Sequence, residues 1–165
     1  MVDDSLRKEL QLLAESRSYR NNLRIIIRVA APLQEHPTID ITNLLSAILL
    51  IEMHQRPGVI RGFEWIVSIM VPKKIRRPIT RGPLQIADGP WNTETAIRCA
   101  AQALLAAVSD APTEQRAIHC AAVRWNGRAV RQPGSTYGYG EVLHDAYLIA
   151  NRAQTDTVRD CQSMP

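Results

Sequence analysis

The sequence is poor in cysteine, and its few cysteines show no pairing pattern. Cys99, Cys120 and Cys161 are an odd number and include no Cys-x-x-Cys pair, so neither a zinc site nor a disulfide framework is indicated. The four histidines also lack the spacing of metal ligands. Catalysis by a protein-bound metal is therefore not expected, and no cofactor is predicted.

Long hydrophobic runs are also missing. The longest, residues 44–51 with Ser46 inside it, is far shorter than the roughly 20 residues that cross a bilayer. We therefore expect a buried helix there and no transmembrane segment. The charged N-terminus lacks the apolar core of a signal peptide, so export would need another route or a parent protein with its own targeting segment.

Aromatic residues make up only 5% of the chain, whereas apolar residues as a whole make up 45%. A chain of 165 residues with this composition can bury one core without disulfides or metal. It shows no internal repeat, low-complexity tract or linker, so one domain is expected. Because tryptophan and tyrosine are scarce, their positions are candidates for places where rings are needed.

Positive charge is in mild excess: 20 Lys and Arg against 16 Asp and Glu give a net charge of +4. The basic residues concentrate at 73–81 and at 124–131. Such clusters can contact nucleic acid, an acidic membrane surface or a polyanionic cell wall, but most are simply solvated. Charge alone excludes little.

Hydrophobic periodicity predicts a mainly α-helical fold. Helical spacing of apolar residues covers 4–31 and ends at Pro32, and Thr42 or Asp40 can cap a helix at 43–54. The helix at 43–54 is apolar nearly all round, which is typical of a helix at the centre of a domain. The further predicted helices are 59–71, one that starts at the N-cap Thr93 and runs to 108, 114–125 and 141–153.

Two segments between the helices are rich in Pro and Gly. Segment 76–90 predicts a small irregular or β-hairpin lobe, and segment 126–140, with Tyr137 and Tyr139, predicts a loop. Residues 156–165 are expected to form a flexible tail. The layout is one mainly α domain over residues 1–155 with a small lobe inserted in it.

Glu52 ends the most apolar helix, where a carboxylate loses solvation. Burial disfavours the charged form, so its pKa should rise toward the value that a general acid needs at near-neutral pH. The alternative is a solvated helix end, or a carboxylate paired with a nearby arginine such as Arg56. From this helix alone, both interpretations stay open.

An ordered set of short motifs follows that helix. They are Thr80-Arg-Gly-Pro-Leu-Gln-Ile86, Ala121-Ala-Val-Arg-Trp-Asn-Gly127 and Tyr139-Gly-Glu-Val-Leu-His-Asp-Ala-Tyr147. With these motifs, over residues 43–147, the chain resembles the lysozyme superfamily, and most closely its lytic transglycosylase and goose-type lysozyme branch. The resemblance implies a lysozyme-like domain with Glu52 as the catalytic acid. Two positions depart from the family pattern: Trp125 stands where Tyr is usual, and Met53 where Ser follows the acid.

The resemblance also implies a substrate cleft. Gln85 would line the cleft near the acid, and Asn126 would contact the N-acetyl group or the backbone at the cleavage subsite. Tyr147 would orient the acid or pack beneath it. Thr80 resembles the Thr-x-Gly element that places a hydroxyl near the attacking water in phage-type lysozymes. Each of the four also has a purely structural interpretation, as a loop amide, a turn, a core ring or an ordinary strand residue.

Ring faces are a further requirement of a glycan cleft, because they stack on the C–H groups of pyranose sugars. Trp125, Tyr137 and Tyr139 are the residues predicted to supply them. At Trp125, stacking is possible but the hydroxyl contact of the family's tyrosine is not.

The type of reaction depends on whether a second carboxylate faces the acid. Hydrolases usually need one, whereas a lytic transglycosylase can use the substrate's own N-acetyl group and C6 hydroxyl with a single acid/base. Glu64 and Asp88 are the nearest candidates, but Glu64 is expected to face solvent and Asp88 to lie in a turn. The sequence therefore favours single-glutamate cleavage of the β-1,4 MurNAc–GlcNAc bond, with lytic transglycosylation preferred over muramidase hydrolysis.

The expected partner is a peptidoglycan glycan strand, in the periplasm or on the cell wall, and not nucleic acid. Segment 59–77 is an insertion that would border the cleft, where Arg76, Arg77 and Arg81 could meet muropeptide carboxylates. The alternative is a non-catalytic helical domain that binds glycan, nucleic acid or a protein partner. Against nucleic acid, prolines break the basic run and the helix before it is apolar, unlike a recognition helix.

Overall fold

The computed structural model describes residues 2–33, 36–55, 80–81, 84, 86–87, 92–127, 130 and 136–162. Over these residues the chain is mainly α-helical, as predicted. The helices are α1 (Asp4–Ala14), α2 (Arg17–Ala30) followed by a 3₁₀ turn (Ala31–Leu33), α3 (Ile41–Gln55), α4 (Thr93–Val108), α5 (Glu114–Asn126) and α6 (Tyr139–Gln162). Two short strands, β1 (Thr80–Arg81) and β2 (Ile86–Ala87), lie between α3 and α4.

Short polar side chains set where the helices begin. Asp3, Ser16, Asn92 and Thr113 each accept a hydrogen bond from the backbone N–H three residues later, which satisfies one of the free donors of a first turn. Asp40 does the same for α3, with 3.0 Å between its carboxylate and the N–H of Asn43. Of the two caps predicted for α3, Asp40 is therefore confirmed.

Two predicted details of the helices differ in the structure, a continuous helical pattern and an N-cap, for the same physical reason. The segment 4–31, predicted to be helical, is two helices, because Ser16 caps α2 by accepting from Tyr19 N–H at 3.2 Å and so interrupts the pattern. Asn92 caps α4, and Thr93 is its first residue. A side chain that can bond to the nearby backbone favours a cap over a helix interior, whatever the hydrophobic period on either side.

α3 lies at the centre of the core. Every residue from Ile41 to Glu52 is buried, and α3 packs most extensively against α6, with α2, α1 and α4 around it. Ser46 is accommodated within the helix, since its hydroxyl donates to Thr42 O at 2.7 Å, whereas the amide of Asn43 donates to Asn151 on α6. Burying a leucine or isoleucine side chain stabilises by about 1.5–3 kcal/mol, so this helix accounts for much of the hydrophobic stabilisation.

α6 is longer at both ends than the predicted helix 141–153. It begins at Tyr139, which was expected to lie in a loop, and the Glu141 carboxylate accepts from Gly138 N–H at 2.9 Å to fix that start. It continues to Gln162, so 156–162, predicted as part of a flexible tail, are helical. Thr157 is buried there, so this last part of the helix packs against the rest of the protein.

The hairpin lobe is represented by one antiparallel pair, in which Thr80 lies opposite Ala87 and Arg81 opposite Ile86. Leu84, between the strands, is only 1% exposed and belongs to the hydrophobic core, so the turn is anchored to the helical body. The predicted helix 59–71 and the basic residues 73–77 lie outside the described residues. Among the helices that are described, none is both long enough and apolar enough to cross a membrane.

Candidate functional site

Glu52 lies where the buried part of α3 meets the surface. The helix is buried up to Glu52 itself, Met53 and His54 are half-buried, and Gln55 is exposed. The carboxylate therefore projects from the last turn of the central helix with only 9% of the residue exposed. This is the position predicted from the apolar run, while the pKa expected for the acid stays a prediction.

Tyr139 is the neighbour that the fold gives to Glu52. It is the first residue of α6 and 9% exposed, and within the described structure its buried hydroxyl has no hydrogen-bond partner. Burial raises the pKa of Tyr139, and the charge of Glu52 raises it further, which requires the two side chains to lie close together. An unsatisfied buried hydroxyl carries a free energy penalty of about 1–3 kcal/mol, and a catalytic role is one of the explanations for keeping such a group.

Tyr147 lies at the other end of α3, so its predicted role of orienting the acid is wrong. Its hydroxyl accepts from Asp40 N–H at 3.3 Å, and Asp40 caps the start of α3. From Asn43 to Glu52 the helix rises about 13 Å, too far for contact. Burial raises the pKa of Tyr147, which fits the core-ring interpretation, and Tyr139 takes the place beside the acid.

These contacts fix the direction of the helices. α6 runs antiparallel to α3, because Tyr139 lies near the end of α3 and Tyr147 near its start. α5 packs against α6, and the charge of Glu114, at the start of α5, acts on Tyr147. We call the end of the bundle where α3 finishes, α5 finishes and α6 begins the acid end.

Two further predicted residues lie at the acid end because they finish α5. Trp125 is half-buried and packs against the hydrophobic core, whereas Asn126 is exposed. Gly127 follows with φ of 72°, a left-handed conformation that favours glycine at a helix C-terminus. An exposed amide next to a partly exposed indole is a suitable pair for binding a sugar, through hydrogen bonds and ring contact.

The hairpin residues are described only through their backbone. Thr80 lies in β1, and the anchored Leu84 immediately precedes Gln85. Gln85 itself, like Glu64 and Asp88, lies outside the described residues. For Thr80 and Gln85 the predicted roles therefore stay predictions.

The hydroxyl of Tyr137 bonds to Asp3 at the start of α1, and the sugar stacking predicted for its ring stays a prediction. Its hydroxyl donates to the Asp3 carboxylate, and Asp3 N–H donates to the same hydroxyl at 3.3 Å. The bond to Asp3 raises the pKa of Tyr137, whereas the pKa of Asp3 is lowered first by the hydrogen bond from Leu6 N–H and then by the one from Tyr137. Sequence reasoning missed this contact and the bond of His54 to Glu9, because residues 134 and 45 positions apart share no local pattern.

Metal-binding and thiol chemistry find no support at the acid end. Over the described residues, no group of three or more His, Cys, Asp or Glu is arranged to hold a metal ion. Cys120 is half-buried, and Cys99 is exposed on the outer face of α4.

No protein-family model, curated protein or solved structure matches the chain. Its function has therefore to be inferred from the chemistry of the acid end.

Proposed function

We propose that the chain cleaves the glycan strands of bacterial peptidoglycan at the β-1,4 MurNAc–GlcNAc bond, as a lysozyme-like domain with Glu52 as its acid. The observation that carries the proposal is the position of Glu52. It is a buried carboxylate in the last turn of the central helix, beside the buried hydroxyl of Tyr139. An acid on a rigid element in partly apolar surroundings is what protonation of a glycosidic oxygen requires.

The chemistry needs one group that first gives and then takes a proton. Protonated Glu52 donates to the glycosidic oxygen while the bond from that oxygen to C1 breaks, and the substrate's N-acetyl oxygen stabilises C1. The Glu52 carboxylate then removes the proton of the C6 hydroxyl while the C6 oxygen bonds to C1. The product is a 1,6-anhydro sugar. The acid is restored, and no second protein carboxylate is used.

Among the described residues, the other carboxylates near the acid end support this single-acid reaction over hydrolysis, while Glu64 and Asp88 lie outside the described residues. Near the acid end, Asp3 binds Tyr137, Glu9 binds His54, and Glu141 binds Gly138 N–H. Each is thus already engaged in holding the fold. A hydrolase would need a second carboxylate that can reach a water molecule on the opposite face of the sugar.

Binding of the sugar is proposed for the exposed surface around the acid. Asn126 and Trp125 would contact it from the end of α5, and Thr80 and Gln85 from the hairpin. Tyr139, being buried, would act on Glu52 rather than stack on sugar. The proposed place of action is the cell wall or the periplasm.

The test is zymography on purified cell walls with wild type, Glu52→Gln and the matched surface control Glu15→Gln. The amide keeps the shape of the side chain but cannot donate the proton, so we expect wall lysis to fall by at least about a hundredfold, with the control unchanged. Circular dichroism verifies that each variant is folded. Mass spectrometry of the products should show anhydro ends, whereas reducing ends would indicate hydrolysis.

Full lysis by Glu52→Gln would overturn the assignment of the acid. Wall binding by a wild-type chain that cuts nothing would instead favour the alternative, a non-catalytic domain that binds glycan.

A further inference from the structure

Both residues that carry the proposed function lie in terminal turns. Glu52 is in the last turn of α3, and Tyr139 is the first residue of α6. Terminal turns lack part of the intrahelical hydrogen bonds and open more readily than helix interiors. Proton transfer, however, depends on a spacing held to within a fraction of an ångström. Contacts from outside the two helices are needed to hold these turns.

α1 supplies a contact within two residues of each. The Glu9 carboxylate accepts a hydrogen bond from His54 Nε2 at 2.8 Å, two positions beyond Glu52. A carboxylate can only accept here, so Nε2 carries the proton. At the other side, Asp3 exchanges two hydrogen bonds with the hydroxyl of Tyr137, two positions before Tyr139.

α1 is itself firmly attached, so it can hold both turns. Leu10 is completely buried on its inner face, and Arg7 contacts both carboxylate oxygens of Asp145 on α6, at 3.1 and 3.2 Å. At 100° per residue, Arg7 and Glu9 lie on opposite flanks of Leu10. The helix therefore reaches α6 on one side and the end of α3 on the other.

We propose that α1 is a positioning element for the site. The contacts of α1 and its N-cap, Glu9–His54 and Asp3–Tyr137, are here called the α1 clamp, and they hold the two turns that carry Glu52 and Tyr139. Neither Glu9 nor Asp3 touches substrate; they act through the turns that they hold. The inference rests on the proposed function only for its activity measurement, and the clamp can also be measured without any activity.

The experiment compares Glu9→Ala, Glu9→Gln and Tyr137→Phe with Glu15→Ala, which removes the same charge from the end of the same helix. On soluble glycan strands, well below the melting temperature, Glu9→Ala and Tyr137→Phe should each lower kcat about tenfold. KM should change less than about twofold, because the sugar contacts are intact. Glu9→Gln should recover most of kcat, since its amide oxygen accepts the same bond from His54.

Amide hydrogen exchange tests the clamp independently of catalysis. Exchange in the last turn of α3 should be about tenfold faster in Glu9→Ala and near the wild-type rate in Glu9→Gln and Glu15→Ala. Unchanged exchange in Glu9→Ala, or an equal change in the Glu15→Ala control, would overturn the clamp. A wild-type chain that cleaves no glycan would overturn the proposed function, and exchange alone would then decide the clamp.

Discussion

At the scale of single residues, two buried tyrosines show opposite hydrogen-bonding situations. The hydroxyl of Tyr19, which is completely buried, donates to Ser46 O at 3.2 Å and joins α2 to the central helix. The hydroxyl of Tyr139, equally deep, has no such partner in the described part of the chain. One hydroxyl thus stabilises the fold, whereas the other is kept in spite of its desolvation.

Removing the two hydroxyls should therefore change stability in opposite directions. Tyr19→Phe loses a buried hydrogen bond and should lower the free energy of unfolding by about 1 kcal/mol. Tyr139→Phe removes an unsatisfied group, so the free energy of unfolding should rise by up to about 1 kcal/mol. Wall cleavage should fall in the same variant. Urea unfolding at pH 7 measures both values, and a loss of stability in Tyr139→Phe would contradict the account of its hydroxyl.

The same two variants should differ from wild type at alkaline pH. Burial raises the pKa of both tyrosines above the ordinary value of 10. Above about pH 10 the unfolded chain releases phenolic protons that the folded chain retains, so stability falls as pH rises, by at most about 1.4 kcal/mol per pH unit for each residue. Each substitution should make the free energy of unfolding, measured with urea above pH 10, fall less steeply with pH. An unchanged slope in a variant would exclude the raised pKa of the tyrosine that it lacks.

At the scale of elements, an ion pair joins α1 to α6. Asp145 has a side chain only 8% exposed, and Arg7, at 35%, is the cation beside it. Arg7→Ala should lower the free energy of unfolding by about 2 kcal/mol or more, because it leaves a buried carboxylate unpaired. The exposed pair of Arg28 with Glu94 is the control. Arg28→Ala should change the free energy of unfolding by less than about 1 kcal/mol.

A double variant distinguishes the value of the ion pair from the cost of leaving one buried charge unpaired. In Arg7→Met with Asp145→Leu no charge remains to be desolvated, so this protein should be more stable than Arg7→Ala alone. Thermal unfolding is sufficient to rank the variants. Equal destabilisation of the single and double variants would mean that packing, and not the unpaired charge, determines the cost.

The elements themselves were largely predictable, but their ends and contacts were not. The apolar run of α3 predicts both a helix and its central position, because no face of such a helix can remain in water. The break at Ser16 and the early start of α6 at Tyr139 depend on single side-chain bonds to the backbone, which periodicity does not register. The position of Tyr147 follows only from the antiparallel packing of α6 on α3.

At the scale of the whole molecule, the candidate site is a consequence of how helix ends coincide. Glu52 could be selected from sequence because it terminates a buried run, whereas Tyr139, 87 positions further along the chain, comes under the influence of its charge only through the fold. The α1 clamp depends on separations of 45 and 134 residues. Residues of one helix can thus be chosen from pattern, but their partners require the fold.

Because α1 to α6 share one hydrophobic core, the described helices should unfold together. Leu49, completely buried on α3, is a suitable probe, and Leu49→Ala should lower the free energy of unfolding by about 2–5 kcal/mol through lost contacts and a cavity. Helical circular dichroism and near-ultraviolet signals of the aromatic rings should shift to the same lower temperature. Two separate transitions would show that part of the bundle is stable without the central helix, and the acid end, which α3, α5 and α6 build jointly, would then not be held by a single core.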